Sequence, residues 1–166
     1  MPIADALLPE YDHEMATTRR LLDRVRDQEL GWRPHEKSMT LGQLSGHLAN
    51  LPMWCSAVLD TSAFDLDSAG EEVRPKAPVS REALLKEFDA KTARARADLA
   101  RRTDPELMAP WTLKRGDHEI FTMPRVSAMR FFVMNHSIHH RGQLSVYLRL
   151  LDIPVPSIYG PTADEQ

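Results

Sequence analysis

Hydrophobic side chains recur at steps of three and four residues in four separate parts of the chain. This spacing places them on one face of a helix, so it predicts four amphipathic helices. The predicted helices are residues 2–28, residues 40–60, a segment that begins after Ser80 and includes Leu99, and residues 124–151.

The residues that flank these segments support the predicted helix ends. Thr40 and Gln43 have the spacing of a capping box, and Ser80 is a suitable N-cap for the third helix. Pro124 suits the first turn of the fourth helix, because its missing N–H would have no helical partner there. Residues 152–166 contain three prolines and cannot continue that helix.

Two stretches lack the helical period. Residues 61–79 are polar, contain proline and are predicted to be a connecting loop. Residues 110–121 read as a small β-hairpin turned around Gly116. Long helices joined by mostly short links favour an antiparallel bundle. We therefore predict an all-α four-helix bundle, with a small β-hairpin between the third and fourth helices, formed as a single domain by residues 1–166.

Composition and charge narrow the possible partners. The chain has 42% hydrophobic and 27% charged residues and a net charge of −3, with no basic stripe that would predict nucleic-acid binding. No run of about 18 apolar residues predicts a membrane span, and the N-terminus lacks the pattern of a signal peptide. Cys55 is the single cysteine, which excludes an intrachain disulfide and a multi-cysteine zinc site. A cytoplasmic protein is the prediction that fits.

The sequence NHSIHHRGQ at residues 135–143 carries the densest candidate chemistry. His136 and His140 are four residues apart and share a helix face, so both can bind one metal ion. His136 and His139 are three apart and could do the same. Random placement of the seven histidines gives about 0.3 pairs at spacing four, so the motif alone is weak. The same face also carries apolar residues, which indicates that it points inward.

His47 lies near the middle of the second predicted helix, beside an apolar stripe. A buried imidazole needs a hydrogen-bond partner or a metal, because an unpaired polar group costs about 1–3 kcal/mol there. A core histidine bonded to a neighbouring side chain is the ordinary alternative. Bundles also build metal sites from side chains on facing helices, and three imidazoles that leave coordination positions open are typical of catalytic sites.

The sequence also resembles the DinB-like superfamily of damage-inducible, metal-binding bundle proteins. The motifs that carry the resemblance are SMTLGQL at residues 38–44, GHL at 46–48, NHSIHHRGQL at 135–144, YLR at 147–149, PVPSIYGP at 154–161 and ADE at 163–165. They are spread in order across nearly the whole chain, which makes them more specific than the histidine pair.

The resemblance implies an up-down-down-up helix order and a metal site made by His47, His136 and His140. It assigns His139 to a position next to the ligands, where it could act as an acid or base. Members of the superfamily bind zinc or nickel, and many are homodimers. Those with known activities mostly join a low-molecular-weight thiol, such as bacillithiol or mycothiol, to an electrophile, and one is a mycothiol-dependent isomerase.

The expected function is therefore a metal-dependent enzyme that activates a low-molecular-weight thiol for attack on an electrophilic small molecule. His139 and Tyr147 are the catalytic candidates, and the candidates for substrate contact are Asn50, Arg141 and Gln143. A metal-dependent hydrolase and a non-catalytic stress protein that binds metal or a small ligand are the alternatives. The second alternative would be favoured by a fourth protein ligand, for which the candidates are Glu10, Asp12 and Glu14.

Overall fold

The computed structural model describes residues 1–70 and 76–165, most of which are helical. The α-helices are α1 (Ile3–Leu22), α2 (Leu41–Asp60), α3 (Arg81–Ala100), α4 (Asp104–Met108), α5 (Arg125–Ala128) and α6 (Asn135–Leu150). A 3-10 turn covers Asp27–Glu29, and a π-helical segment, Met129–Met134, joins α5 to α6. The strands are β1 (Ala63–Asp65), β2 (Pro110–Arg115) and β3 (His118–Pro124).

The predicted caps of the second and third helices are confirmed. The Thr40 hydroxyl accepts a hydrogen bond from the Gln43 backbone N–H (3.1 Å), and the Gln43 side chain accepts one from the Thr40 N–H (2.8 Å). The Ser80 hydroxyl accepts from the Ala83 N–H at 3.1 Å. These bonds satisfy backbone donors that have no partner within the helix, and they fix where α2 and α3 begin.

The long helices α1, α2, α3 and α6 form a helical bundle. Both α1 and α2 pack against α3 and α6, and the side chains between them make one apolar core. Among its fully buried members are Tyr11, Leu21, Leu44, Leu48, Leu51, Leu84, Phe88, Leu99, Leu144 and Leu148. Burying one leucine contributes about 2 kcal/mol, so the core is the main source of stability. The up-down-down-up direction of the helices stays a prediction.

No helix within residues 1–70 and 76–165 combines the length and the apolar character needed to cross a membrane.

The first helix is shorter than predicted: α1 ends at Leu22, and the predicted end at residue 28 was wrong. The polar groups that follow are bound by the start of α3. The Asp23 carbonyl accepts from the Arg81 guanidinium (3.1 Å), and the Asp27 carboxylate accepts from the Arg81 backbone N–H (2.6 Å). These long-range bonds hold the connection in a non-helical path, which the local hydrophobic spacing could not reveal.

The predicted hairpin is confirmed as β2 and β3, which pair antiparallel around Gly116 at a φ of +56°. The predicted loop over residues 61–79 is partly wrong, because β1 lies within it and pairs parallel with β2. Residues 71–75 of that prediction lie outside the described part of the chain. The Asp65 carboxylate also accepts from the Gly116 N–H at 2.9 Å. A three-residue strand is too short to show a period, so the all-α prediction is corrected to a mostly helical fold with a three-stranded sheet.

The predicted fourth helix, residues 124–151, is divided into α5, the π segment and α6. At the end of the π segment the Asn135 N–H bonds to the Arg130 carbonyl, five residues earlier rather than four. Pro124 belongs to the end of β3 and precedes α5 directly. Nothing in the spacing of hydrophobic residues predicted this wider turn or the short helix α4.

We expect Gly46→Ala to lower the free energy of unfolding by about 1–3 kcal/mol. A Cβ at Gly46 would lie 2.1 Å from the Lys76 carbonyl oxygen and 3.3 Å from Pro78, so the chain at residues 76–78 would have to move away from α2. Urea unfolding of the purified variant measures the change.

Gly142→Ala is the matched control, because nothing lies within 4 Å of a Cβ at that position in α6. It should leave stability unchanged or raise it by up to about 1 kcal/mol, the difference in helix propensity. Equal destabilisation by the two substitutions would contradict the close packing at Gly46.

Candidate metal centre

Three imidazoles from two helices meet at one point. The Nε2 atom of His136 lies 3.3 Å from Nε2 of His47 and 2.8 Å from Nε2 of His140. One ligand atom from each ring lies within 4.8 Å of the others, and no further His, Cys, Asp or Glu of residues 1–70 and 76–165 belongs to this group. Nitrogens bound to one tetrahedral zinc ion are about 3.3 Å apart. The histidine cluster (His47, His136 and His140) therefore fits a metal after a small adjustment.

Hydrogen bonds on the far side of two rings leave the correct nitrogens available. Nδ1 of His140 lies 2.7 Å from the side-chain oxygen of Gln143, which can only accept, so Nδ1 carries the proton. His136 hydrogen-bonds to the backbone of Phe132, one turn earlier. Because its Nε2 faces the other imidazoles, that bond uses Nδ1. The bonds at Nδ1 therefore favour, for both rings, the tautomer that leaves Nε2 available to a metal.

The surroundings keep the three rings neutral. The pKa of His47 is lowered to about 4, mainly by burial and to a smaller extent by the nearby His140 and His136. Burial is also the main reason that the pKa values of His136 and His140 lie below the usual 6.5. Protonating any ring would place a positive charge beside two other imidazoles. At neutral pH all three therefore offer lone pairs.

Aromatic side chains border the histidine cluster on the side of the sheet. The ring of Phe132 in the π segment is 6.2 Å from that of His136 and 5.2 Å from that of Trp54, which lies two turns after His47 in α2. Trp111 and Phe121 add rings at 6.1 and 5.7 Å from Phe132. This aromatic cluster (Trp54, Trp111, Phe121 and Phe132) gives the centre an apolar neighbour and lowers the local dielectric.

The carboxylates considered as a fourth ligand are bound elsewhere. Glu10 pairs with Arg130 and Asp12 with Arg96, at 2.6 and 2.8 Å. Glu14 is buried and pairs with Arg141 at 2.6 Å. Within residues 1–70 and 76–165, three histidines are the whole candidate ligand set. A metal held by them would keep coordination positions for water or substrate.

Arg141 does not reach the histidine cluster from its position in α6. Its side chain is 1% exposed and donates hydrogen bonds to the Glu14 carbonyl (3.0 Å) and to the Tyr159 hydroxyl (2.6 Å). The Tyr159 hydroxyl in turn donates to the Glu14 carboxylate at 2.9 Å, and its ring stacks on the guanidinium. Burial in this network argues against the substrate contact that the sequence suggested for Arg141.

The other predicted residues lie nearer to the histidine cluster. His139 is exposed, and its ring centre is 4.9 Å from that of His140. Gln143 is exposed and contacts His140 as described above. Tyr147 is half-buried; its hydroxyl donates to the Met39 carbonyl (3.2 Å), and its ring meets Trp32 edge-on. These contacts place the three residues along one face of α6.

Asn50 in α2 forms a hydrogen bond with α3 close to His47. It is buried one turn after His47, and its side-chain oxygen accepts a hydrogen bond from the Lys91 ammonium at 2.6 Å. Lys91 also pairs with Glu87. No spacing signal in the sequence could have linked Lys91 to Asn50, since the two lie on different helices.

The chain is similar to several known proteins. The family model described as the DinB superfamily matches residues 10–144. A Bacillus subtilis strain 168 protein named as the uncharacterized protein YrdA is 27% identical over 97% of this chain and 90% of its own length. The fold is similar to that of a DinB-like protein from Bacillus cereus ATCC 10987, with a TM-score of 0.74 at 23% identity over 95% of this chain and 98% of the other. It is also similar to the DinB-like protein YjoA from Bacillus subtilis, with a TM-score of 0.70 at 16% identity over 92% and 96% of the two chains.

We expect His47→Ala, His136→Ala and His140→Ala each to abolish retention of one equivalent of zinc, because each substitution removes a direct metal bond. His139→Ala should retain zinc with an affinity lowered at most about 10–100-fold, the range for residues that contact a ligand. Isothermal titration with zinc separates the two classes, and exposed His13 serves as the control substitution. A zinc-free His139→Ala protein beside a zinc-loaded His140→Ala protein would shift the ligand assignment by one residue.

The metal-free protein should lose stability as the pH falls from 6.5 towards 4. His47 has a pKa of about 4 in the folded state and 6.5 in the unfolded chain, so the unfolded chain binds more protons in this interval. Urea unfolding at several pH values measures the slope. His47→Asn should reduce the slope, because the substituted side chain does not titrate. An unchanged slope would show that the ring is not held neutral by the fold.

Proposed function

The chain belongs to the DinB superfamily, and we propose that it is a metal-dependent enzyme that joins a low-molecular-weight thiol to an electrophilic small molecule. His47, His136 and His140 would hold one divalent transition metal, zinc or nickel. The single observation that carries the proposal is the convergence of three neutral imidazoles with no fourth ligand among the described residues. Such a donor set matches catalytic rather than structural metal sites.

The donor set also explains why a thiol suits this site. Three imidazoles contribute no negative charge, so a bound divalent metal keeps its charge and lowers the pKa of a coordinated thiol or water. The reaction would form a carbon–sulfur bond while the leaving group departs with the electron pair of the bond that breaks. The thiol proton would pass to solvent or to His139, the exposed imidazole beside His140.

Residues of the chain itself would orient these groups. Gln143 holds the ring of His140, and the backbone of Phe132 holds that of His136, so neither ring has to reorient when a metal binds. Tyr147 is fixed by its bond to Met39. Its position on the same face of α6 makes it a candidate for substrate contact rather than for proton transfer.

A metal-dependent hydrolase is the second candidate, because the same centre would also activate water. Metallohydrolases commonly place a carboxylate beside the metal as a general base. Glu10, Asp12 and Glu14 are instead paired with arginines. This pairing favours the thiol reaction, which needs no such base.

We propose that the enzyme is a homodimer in the cytoplasm, where low-molecular-weight thiols are kept reduced. We also propose that its four long helices run in up-down-down-up order. Nucleic acid and membrane are not proposed as partners.

Thiol binding should be visible when cobalt(II) replaces the native metal. Titrating the cobalt protein with bacillithiol, mycothiol, glutathione and cysteine should produce a sulfur-to-cobalt charge-transfer band with at least one of them. That thiol should then react with 1-chloro-2,4-dinitrobenzene faster than it does without protein. His140→Ala should abolish the band and the acceleration together, because it removes a ligand.

Two other outcomes would redirect the assignment. Hydrolysis of an activated ester without any thiol band would favour the hydrolase. Tight metal binding with neither reaction would favour the non-catalytic, metal-binding stress protein.

A further inference from the structure

A surface hollow borders His136, one member of the histidine cluster. Its volume is about 360 Å³, and it is lined by Phe131, Phe132, Asn135 and His136. Since His136 belongs to both, a molecule in the hollow would touch the ring that holds the metal. Volumes of this order are sufficient for part of a small ligand.

The lining of the hollow is apolar and carries no charged side chain. Phe131 is 59% exposed, and its ring lies 6.1 Å from that of Phe121 in edge-on geometry. Phe131 is thus an exposed aromatic side chain in the same hollow as the candidate ligand His136, and an apolar surface of this kind can mark a ligand-binding groove.

A second hollow in the fold provides a contrast. It lies between α2 and α3, near Phe64, and its lining includes Asp60, Lys91 and Arg94. These charged side chains stand beside the apolar side chains of Met53, Ala57 and Phe64. Beside His136, the lining offers two phenylalanine rings and, apart from the histidine, a single amide from Asn135. The group selected at that place is therefore uncharged and apolar, and the exposed ring of Phe131 offers a surface on which a flat group can stack.

We infer that this hollow binds an aromatic or similarly flat apolar group of the electrophile, with the reactive carbon on the side of the histidine cluster. The inference rests on the proposed function, since it names the substrate class of the same site. Phe131 would then be a specificity residue: it contacts the substrate and takes no part in holding the metal. Its exposure in the free protein is explained by the contact that it makes with the ligand.

Two probes that share a metal-binding group can test the hollow separately from the metal. Acetohydroxamate and benzohydroxamate differ only in a methyl group against a phenyl ring. Titration calorimetry of the zinc-loaded protein gives the ratio of their affinities, and the ratio for free zinc gives the baseline. We expect the ratio of benzohydroxamate to acetohydroxamate affinity to be about tenfold larger for the protein than for free zinc, as burial of one face of a ring predicts.

Matched variants assign the effect to the hollow. Phe131→Ala should reduce the preference to about two- to threefold while leaving acetohydroxamate affinity unchanged. Leu150→Ala is the control: Leu150 is 57% exposed and lies at the far end of α6, so its truncation should leave the ratio unchanged. Both side chains are mainly in solvent, so neither substitution should unfold the protein, which circular dichroism checks.

Several outcomes would overturn the inference. If the affinity ratio of the two hydroxamates were the same for the protein as for free zinc, the hollow would not bind the ring, while the metal centre would stand. Failure of zinc and of both probes to bind would remove the metal centre and the inference together. If Phe131→Ala converted a dimer to a monomer without changing the affinity ratio, the hollow would be a contact between copies of the chain instead.

Discussion

The ion pair between Arg141 and Glu14 is the interaction on which the geometry of the candidate site depends. Both side chains are buried, and removing one partner of such a pair costs about 3–5 kcal/mol because the other charge is left without compensation. Arg141 follows His140 directly, so the two side chains leave α6 about 100° apart. Holding Arg141 against α1 therefore turns His140 towards α2, where His47 lies. The rotation of α6 is set by a charge that does not touch the metal site.

The C-terminal segment takes part in the same arrangement. The Tyr159 hydroxyl bonds to Glu14 and accepts from Arg141, so a residue beyond the last helix completes the buried network. Asp164 pairs with Arg149 and accepts from the Val155 N–H, and this holds the segment against α6. Three prolines made the segment look like a simple exit from the helix. Its contacts make it part of the support for the site.

The features that the sequence predicted correctly have local signals. The capping box at Thr40, the turn at Gly116 and the shared face of His136 and His140 each depend on residues close in the chain. Spacing left His139 and His140 interchangeable, and burial separates them: His140 is inside the cluster, while His139 is exposed. The strand β1, the Lys91–Asn50 bond and the Arg141–Glu14 pair involve partners far apart in sequence. A single sequence shows which side chains share one face of a helix, but it does not show which distant residues contact that face.

The π segment has a consequence for how such a centre can vary between relatives. An α-helix that gains one residue must either rotate everything on one side of the insertion by about 100° or take up the extra residue in a wider turn. Here the wider turn, Met129–Met134, contains Phe131 and Phe132 and ends directly before α6, which carries His136 and His140. A single insertion or deletion in this segment can thus change the direction of Phe131 and Phe132 while His136 and His140 keep their register. The aromatic side chains and the two histidines can therefore change independently, although one continuous helical stretch carries both.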